Sequence, residues 1–515
     1  MNRASILFLT LLLTLLLGSF AHTAPAPQEE PAPAAEARAG RVHASPADET
    51  SDEFSDESSQ YWPQWRGPLS TGAAPHADPP TEWSESKNVA WKVEIPGRGH
   101  SSPVVWRDRI FLTAAIGEGE ALKPERRHGE HHNLQSVRRQ RFVVLALDRR
   151  DGKVLWQRTV RKGVPREGGH QTGSFASASP VTDGRSVYAF FGSHGLYALD
   201  WDGKVLWQTD LGDMETKHGH GEGSSPVLHG NTLLVNWDHE GPSFLVALDK
   251  RSGKELWRVA RDEPSSWATP IVVEHAGRPQ AIVSGTHRLR GYDLATGKVI
   301  WECGGLSANI VASPVHGDGM VFAGSSYEKQ AFLAVRLAGA RGDVTSSEHL
   351  VWTRDRGTPY VPSPLLYRGS LYYLRHYQGI LTRLDAKTGE DRPGAMRLPG
   401  IRNVYASPVA AAGRIYITDQ EGVTLVLADE DKPEVLALNR LDDRFSASAA
   451  IAGADLFLRG ERYLYRLSTA PTSATDGLRT GNPSREKGRA RFGEALDAFV
   501  LICRYDGDLL QYVPF

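Results

Sequence analysis

Cysteine is almost missing from this sequence, and neither sign of charge is in excess. Among 515 residues there are two cysteines, Cys303 and Cys503. They are too few for a disulfide framework, and Cys303, in WECGG, reads as a small buried residue. Lys and Arg number 59 against 61 Asp and Glu, a net charge of −2, so no bulk positive field points to nucleic acid. There is no Gly-x-Ser-x-Gly elbow and no cysteine in a nucleophile context. The GEG and GSHG pieces do not lead from a strand into a helix, so they are not phosphate loops. The apolar run Ile6–Leu17 is short for a membrane span.

What is abundant is turn chemistry: 51 Gly and 31 Pro. Residues 1–24 carry Arg3, the Leu-rich run and the small residues Ser19, Ala21 and Ala24, and read as an export signal. The alternative is an uncleaved N-terminal membrane anchor. No Cys follows the run, which excludes a lipoprotein anchor. Export implies a periplasmic or cell-surface location. Residues 25–60 are Pro/Ala-rich and then acidic, and read as a disordered spacer. Tyr61–Pro68, YWPQWRGP, turns abruptly aromatic, and Trp62 and Trp65 are expected to plug or cap the fold that follows.

That fold is announced by a repeat. ALDKRSGKELW, from Ala247 to Trp257, reads as two strands joined by a tight turn, with Asp249 accepting backbone N–H groups, Gly253 supplying positive φ, and Trp257 sealing a seam to the next sheet. Copies run from Ala146 to Trp156, Ala198 to Trp207, Gly291 to Trp301 and, more weakly, Arg383 to Asp391. Upstream of each lies a small residue, Pro and an apolar strand. The prolines are Pro103, Pro180, Pro226, Pro270, Pro314, Pro364 and Pro408, with Ala449 in the eighth place. From Pro180 onward they are spaced by 46, 44, 44, 50, 44 and 41 residues. Such a period, with several short strands per unit, predicts a propeller. The last unit supplies strands near Ala449, at Asp455–Arg459 and at Tyr463–Ser468, but no fourth. The segment Asn88–Ile95, with Trp91, is the orphan that completes it and removes two exposed edges. The expectation is an all-β, eight-bladed propeller of four-stranded antiparallel blades over residues 61–468, closed by an N-terminal strand, with a tail of unassigned structure at 469–515.

In such a blade, the segment before each small-Pro element and the loop after each second strand share one rim. Eleven of the 18 histidines fall there: His100, His128, His131, His132, His170, His194, His218, His220, His239, His287 and His376. With them come Gln171, Glu222, Trp237, Asp238, Trp267, Asn309, Tyr360 and Tyr405. A ring mouth rich in His, Trp, Tyr and Asn is where a propeller binds a ligand or partner, although any one of these groups can instead be spent on hydrogen bonds to neighbouring blades. The tightest set is His218, His220 and Glu222 facing Trp237, Asp238 and His239. His-x-His-x-Glu on extended backbone puts alternate side chains on one side, so His218, His220, Glu222 and His239 are candidate metal ligands.

The Ala-Leu-Asp-x-x-x-Gly-Lys-x-x-Trp repeats, with WPQWRGP, SSPV, NWDHEG and YVPSP, resemble the pyrroloquinoline-quinone (PQQ)-like propeller repeats of the proteins grouped with BamB. The resemblance covers about residues 61 to 468. It implies a non-catalytic scaffold that docks a partner by its loops; the expectation is a monomer that binds an envelope protein or small ligand at the rim, with no cofactor. Quinoprotein dehydrogenases share the repeats and hold PQQ with Ca²⁺ beside an adjacent Cys–Cys disulfide; no such pair occurs here. A third reading is carbohydrate binding by Trp237, Trp267, Tyr360 and Tyr405.

Overall fold

The computed structural model describes residues 57–469, save 121, 123–132, 135–137, 376, 377 and 394. The export signal, most of the spacer, the tail from residue 470, and His128, His131, His132 and His376 lie outside the described residues. Residues 57–60, assigned to the spacer from composition, are placed against blade 1: Glu57 forms an ion pair with Arg107 at 2.6 Å.

Eight antiparallel four-stranded sheets follow one another along the chain. They occupy residues 104–163, 181–209, 227–261, 271–304, 315–354, 365–397, 409–440 and 450–468; these are blades 1 to 8. The fourth strand of blade 8 is Val89–Glu94, which pairs antiparallel with Tyr463–Ser468, Lys92 opposite Tyr465. The ring is therefore latched as the orphan strand requires. Blade 4 has an added edge, because Gly342–Asp343 pairs in parallel with Trp301 and Glu302.

The repeat motif is a socket between blades. Asp249 Oδ1 accepts the N–H groups of Arg251 and Ser252, closing the turn, and Gly253 has φ +69. The socket receives the indole of the preceding blade. Trp207 Nε1 donates to Lys250 O at 2.9 Å, and a Cβ on Gly253 would lie 2.5 Å from its ring. The same bond joins Trp156 to Trp201 O, Trp257 to Leu294 O, Trp352 to Ala386 O and, across the latch, Trp91 to Arg149 O. The fourth strands of blades 6 and 7, Met396–Arg397 and Val435–Arg440, hold no Trp, and Trp301 departs from the rule. Blade 5 has RLAGARGD in place of a socket turn, so the indole folds into its own blade. There it is fully buried, donates to Gln280 Oε1 and occupies the space that a side chain on Gly291 would need.

A second set of bonds circles the channel. The small residue before each of these prolines donates its N–H to the corresponding hydroxyl of the next blade, from Ser102 to Ser179, Ser225, Thr269, Ser313, Ser363, Ser407 and Ser448, at 2.8–3.0 Å. The end opposite the loop rim is stapled by residues 62–83. Trp62 pairs with Val105 and is 1% exposed. Thr182 N–H donates to Pro63 O, Ala74 N–H to Ala410 O and Asp78 N–H to Gly453 O. The Arg66 guanidinium is buried and donates to Pro408 O, Thr71 O and Pro364 O. The aromatic plug is thus real at Trp62, whereas Trp65 is only half-buried; Arg66 carries the polar part. Among the described residues no helix is long and apolar enough to cross a membrane.

Candidate functional site at the loop rim

The two loop sets do share one face. Glu222, before the blade 3 serine, accepts from Ser193 N–H at 2.9 Å and from Ser193 Oγ, in the blade 2 loop. Glu240 accepts from Ser265 N–H and Oγ in the same manner between blades 3 and 4. These bonds also decide what the candidate residues can do.

The four candidate metal ligands do not converge. Glu222 is turned to Ser193. His239 Nδ1 accepts the N–H groups of Glu215 and Gly241, and its Nε2 faces Pro242 O at 3.2 Å. Among the described residues no three His, Cys, Asp or Glu side chains form a metal-holding group. His218 and His220 remain close to one another, with ring centres 5.4 Å apart. The reason for the mismatch is local: His218 sits at φ +58, so the segment is kinked and the alternation of an extended strand is lost.

Two other candidates belong to the fold. Trp237 is 1% exposed and stacks on Phe244 within the core between blades 2 and 3. Asp238 is bound twice by Arg261, at 2.7 and 3.0 Å, with both side chains fully buried. Ser266 and Asn236 complete its shell. Asn309 is buried in the left-handed region, its Oδ1 without a partner. Tyr360 stacks on the exposed Tyr327; Tyr405 is half-buried and Gln171 exposed on the same rim.

The residues the structure does bring together are His170, His218, His220 and Trp267. His170 and His220 meet edge to face at 5.0 Å, and His220 lies 6.3 Å from Trp267. Trp267 Nε1 donates to Gly221 O and His170 N–H to His220 O, so the patch is preorganised across blades 2, 3 and 4. All four side chains are half-buried. A separate cavity of about 40 Å³ is lined by Glu167, His194 and Glu222 and by none of the four patch residues. Burial holds Glu222 protonated up to about 7 and pushes His194 down to about 4.

Sequence reasoning passed over Arg98, Glu167 and Arg459. For Arg459 a signal was present: it ends the second strand of blade 8 where the other blades carry Thr113, Phe190, Asn236, Ser284, Gly324, Leu374 and Thr418.

A closed ring of eight such blades, joined by indole sockets, defines a PQQ-repeat β-propeller. The chain belongs to the family described as outer membrane protein assembly factor BamB, whose model matches residues 81–236, 138–392 and 241–470. Among solved structures, BamB from Moraxella catarrhalis is similar at 14% identity and TM-score 0.51, covering 73% of this chain and 99% of that one. A quinohemoprotein alcohol dehydrogenase from Comamonas testosteroni is similar at 10% identity and TM-score 0.54, covering 84% of each. A europium-containing methanol dehydrogenase is similar at 11% identity and TM-score 0.52, covering 79% of this chain and 91% of that one. At these identities the likeness is one of fold. No match is found among curated protein sequences.

Proposed function

We propose that this chain is an exported, monomeric, non-catalytic scaffold of the cell envelope that docks a protein partner on the loop rim. The observation that carries the reading is the preorganised patch of His170, His218, His220 and Trp267. Aromatic and imidazole groups held by cross-blade bonds suit an interface anchor. Family membership supports the envelope setting.

The quinoprotein reading is favoured by fold alone. Against it stand the residues. A cavity of about 10 Å³ lies beside the Gln64–Arg66 staple and one of about 40 Å³ under the rim, whereas small-molecule sites run to roughly 300–1,000 Å³. Cys303 is buried in the core of blades 4 and 5. The rim carboxylates Glu222, Asp238 and Glu240 are already bonded to Ser193, Arg261 and Ser265. The residues present therefore do not fit PQQ with Ca²⁺. The carbohydrate reading loses Trp237 to the core and keeps Trp267, Tyr360 and Tyr405.

The test is capture from envelope extracts with the full chain as bait, beside the Trp267→Ala/His220→Ala double variant. A partner held by wild type and lost by the variant is the expected result. Equal recovery by both sinks the rim as docking surface. Absorbance change or dye-coupled oxidation of an alcohol or sugar on adding PQQ with Ca²⁺ would establish the quinoprotein reading instead.

A further inference from the structure

The circle of serine bonds is broken once, at the seam between blades 8 and 1, and the chemistry at the break is cationic. Ser102 Oγ, in a residue 1% exposed, has no hydrogen-bond partner. Arg459 crosses that seam and is 2% exposed. Both of its hydrogen bonds leave from Nη1, to Ser101 O at 3.1 Å and to Ser101 Oγ. Among the described residues it has no carboxylate partner, and burial alone pushes it down to about 9.

Three other buried arginines among the described residues have carboxylate partners: Arg261 has Asp238, Arg290 has Glu263 and Arg383 has Asp429. Arg66, like Arg459, has none, keeps its Nε without a partner and is pushed down to about 9 by burial. It spreads three bonds over both Nη atoms. Arg459 differs from Arg66 in bonding through Nη1 alone, and nearby groups add to the deficit. Arg98 Nη2 donates to Gln171 O at 3.3 Å, but its Nε is buried without an acceptor among the described residues. The nearest acid to Arg98 is Glu461 at 4.0 Å, which Arg444 also approaches at 3.7 Å. His100 Nε2 is buried without a partner among the described residues, and the ring is pushed down to about 3 by burial and then by the charges of Arg98 and Arg459, against a backbone bond with Thr172 that raises it. Between these two residues, a Cβ on Gly99 would lie 2.4 Å from Arg459 Nη2, so this backbone is pressed against the guanidinium. Burying an unpaired cation costs several kcal/mol, and charge-assisted bonds to an oxyanion are how arginine recovers that cost.

We infer that the seam between blades 8 and 1 is a binding site for a small oxyanion of the carboxylate or phosphate class, held by Arg459 and Arg98, with His100 and Ser102 completing its shell. The site shares no side chain with the rim patch on blades 2 to 4, although Arg98 Nη2 donates to Gln171 O beside His170.

The full chain is titrated with sodium acetate or sodium phosphate against sodium chloride at matched ionic strength, and followed by calorimetry and melting temperature. Saturable binding of acetate, phosphate or both is expected; which one saturates tells a carboxylate ligand from a phosphate. Arg98→Gln, at a half-exposed side chain, should weaken binding at least tenfold and leave the melting temperature of the anion-free protein unchanged. Arg459→Gln should abolish binding. Should Arg459→Gln not fold, the ¹⁵N shift of His100 Nε2 in wild type serves: it moves with saturation if the site is correct. A response linear in salt, equal for chloride, or saturable but unaltered by Arg98→Gln with His100 unmoved overturns the assignment.

Discussion

Glu222 shows what burial does to a single side chain here. Its carboxyl is held protonated to about 7 by burial, against an ordinary value of 4.5, with Glu167 and Asp213 adding to the shift. Between those two values the unfolded chain has released the proton and the folded chain retains it. Stability therefore falls as pH rises through this window and is level above it, by about 3 kcal/mol at most. Glu222→Gln should flatten that slope, read as urea midpoints from pH 4.5 to 8; an unchanged slope assigns it to another group. Asp238 is the opposite case. Removing its charge leaves Arg261 buried and unpaired, so Asp238→Asn should cost about 3–5 kcal/mol in denaturant unfolding. A cost under about 1 kcal/mol would mean the pair is solvated. Both residues stood out in the sequence as rim groups. Whether each faced a ligand or its neighbours was not legible, because Ser193 is reached by a contact between loops of two blades and Arg261 stands at the end of a strand, and repeat spacing encodes neither contact.

At the scale of one element, the socket turn joins two demands at one glycine. Gly253 has φ +69, and a Cβ there would strike Trp207; Gly277 has φ +71 with nothing within 4 Å. Left-handed strain alone costs alanine roughly 1–2 kcal/mol, so Gly277→Ala should lose about that, and Gly253→Ala at least about 1 kcal/mol more through displacement of the indole. Equal losses would show that the indole yields freely. This is also where the sequence was most readable. Repeat length, the Asp and Gly of the regular turns, and the Trp that seals five of the seams were legible because one local geometry recurs. Trp301 was not, since its place depends on what blade 5 lacks. Nor was the parallel strand Gly342–Asp343, whose two residues carry no strand pattern.

For the whole molecule, the mechanical question is what stops a ring of similar sheets from opening one blade at a time. Serine and indole bonds join only neighbours, so by themselves they give a chain of nearest-neighbour couplings. Two features close it. Val89–Glu94 ties the first part of the chain to the last blade, and residues 62–83 cross the channel to touch blades 1, 2, 6, 7 and 8. Arg66 is the crossing point, since its guanidinium binds carbonyls of Pro364 in blade 6 and Pro408 in blade 7 from a segment otherwise paired to blade 1. Replacing it with Met leaves Pro364 O and Pro408 O without that donor, at roughly 1–3 kcal/mol for each unsatisfied buried group. The larger expected effect is on cooperativity. In wild type, tryptophan fluorescence and far-ultraviolet circular dichroism should report one coincident unfolding transition. In Arg66→Met the two should separate, because blades 6 and 7 can then open without disturbing the latch at Trp91. Coincident curves in the variant would place the cooperativity in the latch strand alone.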